Sequence, residues 1–212
     1  MYKISDYIRS GLVFVNNVLR KRHKELTSLM IYSTTACQSR CQHCAIWKKP
    51  VENLSLDDII KLMGSKCVTK RTVVGLEGGE FMLHPEADAI LGWFDENHPN
   101  YTLLSNCLAP DKVIDAVKRH RPTHLYVSLD GNKATYLYMR GRDGYDKVIK
   151  VIEACKDIVP VSLMFCLSPW NSFEDMKHVI DITKKYNIDV RIGIYNISTR
   201  SEERRVGKEC RS

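Results

Sequence analysis

The sequence predicts an α/β fold wound around a parallel sheet. Two observations carry that prediction. From residue 28 onward, short apolar β-rich runs alternate strictly with amphipathic helical runs, the pattern of strand–helix–strand units joined by right-handed crossovers. The strand runs are nearly continuous in apolar residues, as a sheet covered on both faces requires. A third observation concerns function. Polar and sulfur-bearing side chains fall just after the strands, on the rim where parallel α/β folds bind ligands.

Each element has a local reason. "SLMIYST" (Ser28 to Thr34) is a first strand running into a cysteine-rich loop. "SLDDIIKLMG" is a helix with Ser55 as N-cap, Asp57 and Asp58 in its first turn and Gly64 at its end. "TVVGLEGGE" (Thr72 to Glu80) is a second strand with its loop, and "PEADAILGWFDENH" a second helix. "YTLLSN" (Tyr101 to Asn106) is a third strand, followed by a helix with Pro110 in its first turn and basic residues at its end. "HLYVSLDG" (His124 to Gly131), a helix over "DKVIKVIEACKDI", and "VSLMFCLS" (Val161 to Ser168) come next. A helix capped by Ser172, with Asp175 three residues on, precedes a sixth strand at Asp189 to Ile197. Six such strands suit an open doubly wound sheet or a partial barrel, and periodicity does not choose between them.

Composition bounds the rest. With 212 residues, 44% hydrophobic and 27% charged, the chain has the makeup of one soluble globular domain. No apolar run is long enough to span a bilayer. Residues 1–26 read as an amphipathic helix and not a signal peptide. The apolar stretch Gly11 to Val15 is short, and Asn16, Asn17 and the basic run Arg20 to Lys24 follow it. This helix is expected to pack on the domain's flank with its basic end against the helix C-terminal dipole; contact with a membrane surface is the lesser reading. A cytoplasmic location is expected, where thiols stay reduced, so the eight cysteines point to metal or redox chemistry before disulfides. "RSEERRVGKECRS" (Arg200 to Ser212) lacks apolar periodicity and resembles the in-frame translation of a sequencing-library adapter. The expectation is a non-native tail after a core domain of residues 27–199 that is cut short after its sixth strand. The tail carries five Lys/Arg and three Asp/Glu, so two of the chain's seven net positive charges are its own. No basic stripe interleaved with aromatics occurs, and no nucleic-acid partner is expected.

The strand ends carry the chemistry. "TTACQSRCQHCAIWKKP" sets Cys37, Cys41 and Cys44 in one loop after the first strand. Structural zinc wants four ligands, commonly as two cysteine pairs, whereas this loop offers three, and His43 sits too close to Cys44 to join the same ion. Three thiolates suit three irons of a cubane iron–sulfur cluster and leave the fourth iron open. "EGGE" (Glu77 to Glu80) follows the second strand, Ser105 and Asn106 the third, and Ser128 and Asp130 the fourth. Asn106 reads as a turn residue, and Ser128 and Asp130 also suit simple strand-end caps.

"CQSRCQHC" resembles the CxxxCxxC motif of the radical S-adenosylmethionine superfamily. "GLEGGEFMLHPE" resembles its GGE motif, and "SLDG" with "YMRGRDGYDKVI" resembles signatures of the branch that contains peptide maturases and SPASM-domain proteins. The resemblance spans about Leu29 to Ile197 and implies a partial (β/α)6 barrel. It implies a 4Fe–4S cluster held by Cys37, Cys41 and Cys44, with S-adenosylmethionine chelating the fourth iron. It further implies Gly78, Gly79 and Glu80 at the methionine end of that cofactor, Ser128 and Asp130 near its ribose, Arg140 on its carboxylate and His43 near its adenine. Phe81 replaces the frequent proline after GGE, and His43 replaces the usual tyrosine or phenylalanine. The implied reaction is reductive cleavage of S-adenosylmethionine to a 5′-deoxyadenosyl radical that abstracts hydrogen from a substrate. A flavodoxin- or ferredoxin-type electron donor is implied as partner, and a peptide or protein as the candidate substrate. Competing readings are a non-catalytic zinc-binding module and a redox thiol protein.

Overall fold

The computed structural model describes residues 4–19 and 24–195. The expected tail, Arg20 to His23 and the end of the expected sixth strand (Asn196, Ile197) lie outside them. Six parallel strands form one sheet in the order β1 (Ser28–Thr34), β2 (Val73–Gly78), β3 (Tyr101–Ser105), β4 (His124–Ser128), β5 (Val161–Leu167) and β6 (Asp189–Ile194). Every strand pairs with its predecessor in the chain. A doubly wound sheet would reverse its order at a switch point; this order does not reverse, so the sheet is the arc of a partial TIM-like barrel, open between β1 and β6.

The connecting helices are α2 (Leu56–Met63), α3 (Ala87–Asn97), α4 (Pro110–His120), α5 (Lys133–Arg140), α6 (Tyr145–Cys155) and α7 (Phe173–Tyr186), with α1 (Ile4–Leu19) preceding the sheet. Their ends follow the chemistry of their caps. The Ser55 side chain accepts from the Asp58 N–H, and Ser172 with Asp175 forms a reciprocal capping box. Asn187 closes α7 in the left-handed region at φ 53°. One helix departs from expectation. The segment after β4, where no helix is read before Asp146, holds α5. Asn132 starts it by accepting from the N–H groups of Ala134 and Thr135, and Gly141 stops it at φ 61°. Its eight residues are too few for a clear period, yet Tyr136 and Met139 are fully buried.

Val74, Leu76, Leu103, Leu125, Val127 and Leu163 are fully buried along the strands, each contributing about 1.5–3 kcal/mol by burial. Right-handed crossovers put the helices on the outer face. The inner face is left to the site at the carboxyl ends.

Candidate active site

The cysteine loop is fixed from three sides. From β2, the Gly79 N–H donates to the Thr34 carbonyl (2.7 Å) and the Glu80 N–H to the Ala36 carbonyl (2.8 Å). From α5, the Arg140 and Met139 carbonyls accept from the N–H groups of Arg40 and Gln42, both at 2.9 Å. Within the loop, the Trp47 indole N–H donates to the Cys44 carbonyl at 3.0 Å. Glycine is needed on the β2 side for contact with the loop itself. A Cβ on Gly79 would stand 2.3 Å from the Ala36 carbonyl oxygen, and one on Gly78, at φ +145°, 2.5 Å from that of Thr34.

Each of the loop's three sulfurs accepts an N–H from a different element, and Cys37 is also served by the Ser39 N–H. Asn106 Nδ2 lies 3.7 Å from Cys37 Sγ, Arg140 Nη1 3.7 Å from Cys41 Sγ, and the Ile46 N–H donates to Cys44 Sγ at 3.5 Å. Asn106 is more than a turn residue. Its own N–H donates to Glu80 Oε2 at 2.7 Å, and its Oδ1 accepts from Gln38 Nε2 at 3.3 Å. Glu80 is buried and also accepts from Ser105 Oγ at 2.8 Å, so it ties the end of β2 to the end of β3. Burial raises the Glu80 carboxyl above its usual range, against these hydrogen bonds.

Arg140 and Asp130 form a buried pair. Arg140 Nε and Nη2 reach the same Asp130 oxygen at 2.6 and 2.5 Å, and the other Asp130 oxygen accepts from the Cys166 N–H at 3.1 Å. The fork anticipated for a cofactor carboxylate is thus turned onto Asp130, and the Asp130 carboxylate anticipated near a ribose is turned onto Arg140. Asp130 is fully buried, which makes this pairing obligatory. Neither residue was visible as the other's partner in the sequence, because α5, which brings Arg140 back across the rim, was not.

These residues enclose a cavity of about 460 Å³, a size suited to a cofactor. Cys37, Cys41 and Cys44 line it together with His43, Gly78, Gly79, Glu80, Ser128, Asp130 and Arg140, so every anticipated site residue borders one space. Glu77, Asn106, Met164 and Cys166 border it as well. Burial raises the Glu77 carboxyl, and only its place before the double glycine could have flagged it.

The donor set fits an iron–sulfur cluster. Among the described residues, no three His, Cys, Asp or Glu side chains group as a single ion would require; thiolates on a cubane sit on separate irons and need not converge. Ser39 Oγ and His43 Nδ1 are buried without a hydrogen-bond partner, and both residues line the cavity. Burial lowers His43, keeping its ring neutral near pH 7. Burial also pushes the Cys37 thiol up to about 11 and raises Cys41.

A cysteine loop, a double-glycine turn and a buried arginine–carboxylate pair at the open end of a parallel barrel arc define a cofactor-binding protein of the barrel class. The profile of the Radical SAM superfamily matches residues 31–182, and the chain belongs to that family. Members are enzymes that use a 4Fe–4S cluster and S-adenosylmethionine. The molybdenum cofactor biosynthesis protein moc-5 of Caenorhabditis elegans is 26% identical over 79% of this chain and 30% of its own length. Streptococcus suis SuiB bound to S-adenosylmethionine aligns with a TM-score of 0.71 at 18% identity, over 92% of this chain and 48% of SuiB. SuiB bound to its precursor peptide SuiA aligns at 0.70 and 15% identity, over 91% of this chain and 44% of SuiB. The chain therefore spans less than half the length of these relatives. Among the described residues, no helix is long and apolar enough to cross a membrane.

Proposed function

We propose that this chain is the core of a radical S-adenosylmethionine enzyme acting on a peptide or protein, with a 4Fe–4S cluster on Cys37, Cys41 and Cys44. The carrying observation is the set of three thiols on one loop, each supplied with an N–H from a different element, at the wall of a cofactor-sized cavity. Held by Cys37, Cys41 and Cys44, the cluster would supply the electron for reductive cleavage of S-adenosylmethionine, and with it the means to abstract hydrogen from the substrate.

The chain's own residues hold the parts in register. Hydrogen bonds to sulfur disperse thiolate charge and tune the site's potential. Glu80 keeps Asn106 aimed at Cys37, and Asp130 keeps Arg140 aimed at Cys41. Gly78 and Gly79 hold the loop's entry close to β2 while bordering the cavity, where the methionine end would lie. Ser128 and His43, which both line the cavity, are our candidates for the ribose and the adenine, as the family resemblance implies. A flavodoxin- or ferredoxin-type protein would deliver the electron. The peptide reading rests on SuiB, whose structure carries its precursor peptide, and on a cavity that reaches from Tyr32 on β1 to Gly193 on β6, across the barrel's open side.

Anaerobic reconstitution with iron and sulfide tests the reading. We expect about four irons per chain, abolished by Cys37→Ser, Cys41→Ser or Cys44→Ser and retained by Cys155→Ser. After reduction with dithionite, chromatography should show 5′-deoxyadenosine from S-adenosylmethionine, and none from Cys41→Ser. Stoichiometric zinc without iron, or equal product from the Cys41→Ser protein, would overturn it.

A further inference from the structure

Strand residues of a barrel alternate between the helix side and the lumen. On β2, Val74 and Leu76 are fully buried on the helix side, so Gly75 and Glu77 face the lumen. Tyr32 of β1 stands opposite Glu77 in the register and gives its carboxylate a hydrogen bond. The Glu77 side chain does not reach up toward the double glycine. It leans back along its own strand: Oε1 lies 3.4 Å from the place that a Cβ on Gly75 would occupy, a space that Met30 Sδ also approaches.

This carboxylate lacks a counter-charge. Among the described residues, burial and the Tyr32 phenol are what act on it, and no cation does. The cavity's other charged groups are committed: Arg140 is held by Asp130, and Glu80 by Ser105 and Asn106. A half-buried carboxylate without a cation costs stability, and a ligand that brings the cation recovers it. The lining beside Glu77 includes Tyr32, Leu104, Met164 and Gly193, whose apolar surface suits an aliphatic stem. We propose that Glu77 binds the cationic head of a lysine or arginine side chain of the substrate peptide, with the stem laid along these residues. The peptide itself rests on the enzymatic reading proposed above.

Two other roles fit less well. S-adenosylmethionine carries an ammonium and a sulfonium of its own, but its methionine end is assigned to Gly78 and Gly79, and the Glu77 carboxylate is turned from them toward Gly75. A brace for β1 needs only a hydrogen-bond acceptor for Tyr32, and glutamine supplies one without burying a charge. Tyr32 is moreover 62% exposed, open to a ligand entering from the barrel's unclosed side.

Fluorescence anisotropy with labelled peptide pools tests this on the full chain, reconstituted anaerobically and with S-adenosylmethionine present. The pools are acetylated, amidated pentapeptides of uncharged residues whose central position is fixed as lysine, arginine, norleucine or glutamate. The lysine or the arginine pool should bind about tenfold more tightly than the norleucine pool, and the glutamate pool most weakly. Glu77→Gln, which removes the charge at constant shape, and Glu77→Ala should each abolish the difference. Iron content, melting temperature and the affinity for S-adenosylmethionine by equilibrium dialysis should stay at their wild-type values. Three results would overturn the proposal: no preference for either cationic pool over norleucine, a preference that persists in a folded Glu77 variant, or a weakened affinity for S-adenosylmethionine in the variants, which would give the carboxylate to the cofactor. Iron is measured on the same samples. A chain that holds about four irons and shows no preference sinks this assignment alone, whereas one that holds no iron overturns the enzymatic reading and this assignment with it.

Discussion

Gly79 and Arg140 do different work from what their residue types announce. Gly79 is glycine because the Ala36 carbonyl occupies the place of a side chain. Gly79→Ala must push the cysteine loop off β2, at about 1–3 kcal/mol; denaturant unfolding and iron content should fall together, and an unchanged midpoint would contradict the contact. Arg140→Ala strands the buried Asp130 carboxylate and should cost about 3–5 kcal/mol. The double replacement Asp130→Leu/Arg140→Met should lose less than the sum of its singles, as a coupled pair does. Strict additivity in a double-mutant cycle would sever the two. The three cysteines proposed as ligands were legible in the sequence because their spacing is local. The arginine–aspartate pair was not, because a contact across ten residues of unread helix leaves no periodic trace.

At the scale of elements, the sequence announced helices whose ends are chemically marked. Ser55, Pro110 and Ser172 stand where they were read, because caps act within one turn. It did not announce α5, where eight residues give barely two turns of pattern. That helix has the most direct hold on the site, since its last carbonyls bind the loop at Arg40 and Gln42. Asn132→Ala removes a cap serving two N–H groups and should cost about 1 kcal/mol. Its signature should be faster loss of iron from reconstituted protein under a chelator, alongside a small fall in melting temperature. An unaltered rate would show that α5 holds its shape without the cap. Helix α1 teaches the complementary lesson. Its amphipathicity was plain, but packing on the flank was expected, and the structure turns its apolar face outward. A hydrophobic stripe reports that a face wants cover and is silent on what covers it.

For the whole molecule, strand alternation fixed the class of fold but not its closure, which depends on where each crossover lands. The observed order leaves two edges, and β6 is the less protected: Ile192 and Ile194 are 47% and 79% exposed, while Tyr195 is half-buried near Trp170. Exposed strand edges promote association. Ile194→Lys should keep more protein in solution over time, measured by light scattering, while moving stability by no more than about 0.5 kcal/mol; unchanged scattering would acquit this edge. The unbroken strand order also sets a timetable for synthesis. Each strand can dock on the one made just before it, so the sheet can grow as the chain leaves the ribosome. The braces of the cysteine loop arrive in the same sequence: Gly79 and Glu80 with β2, Asn106 after β3, and Arg140 only with α5. Cys41 and Arg140 are 99 residues apart, which at about 5–20 residues per second is about 5–20 s of translation. For that interval the newborn thiols hang on a half-built scaffold, and the earliest moment for safe delivery of iron and sulfide is the emergence of α5.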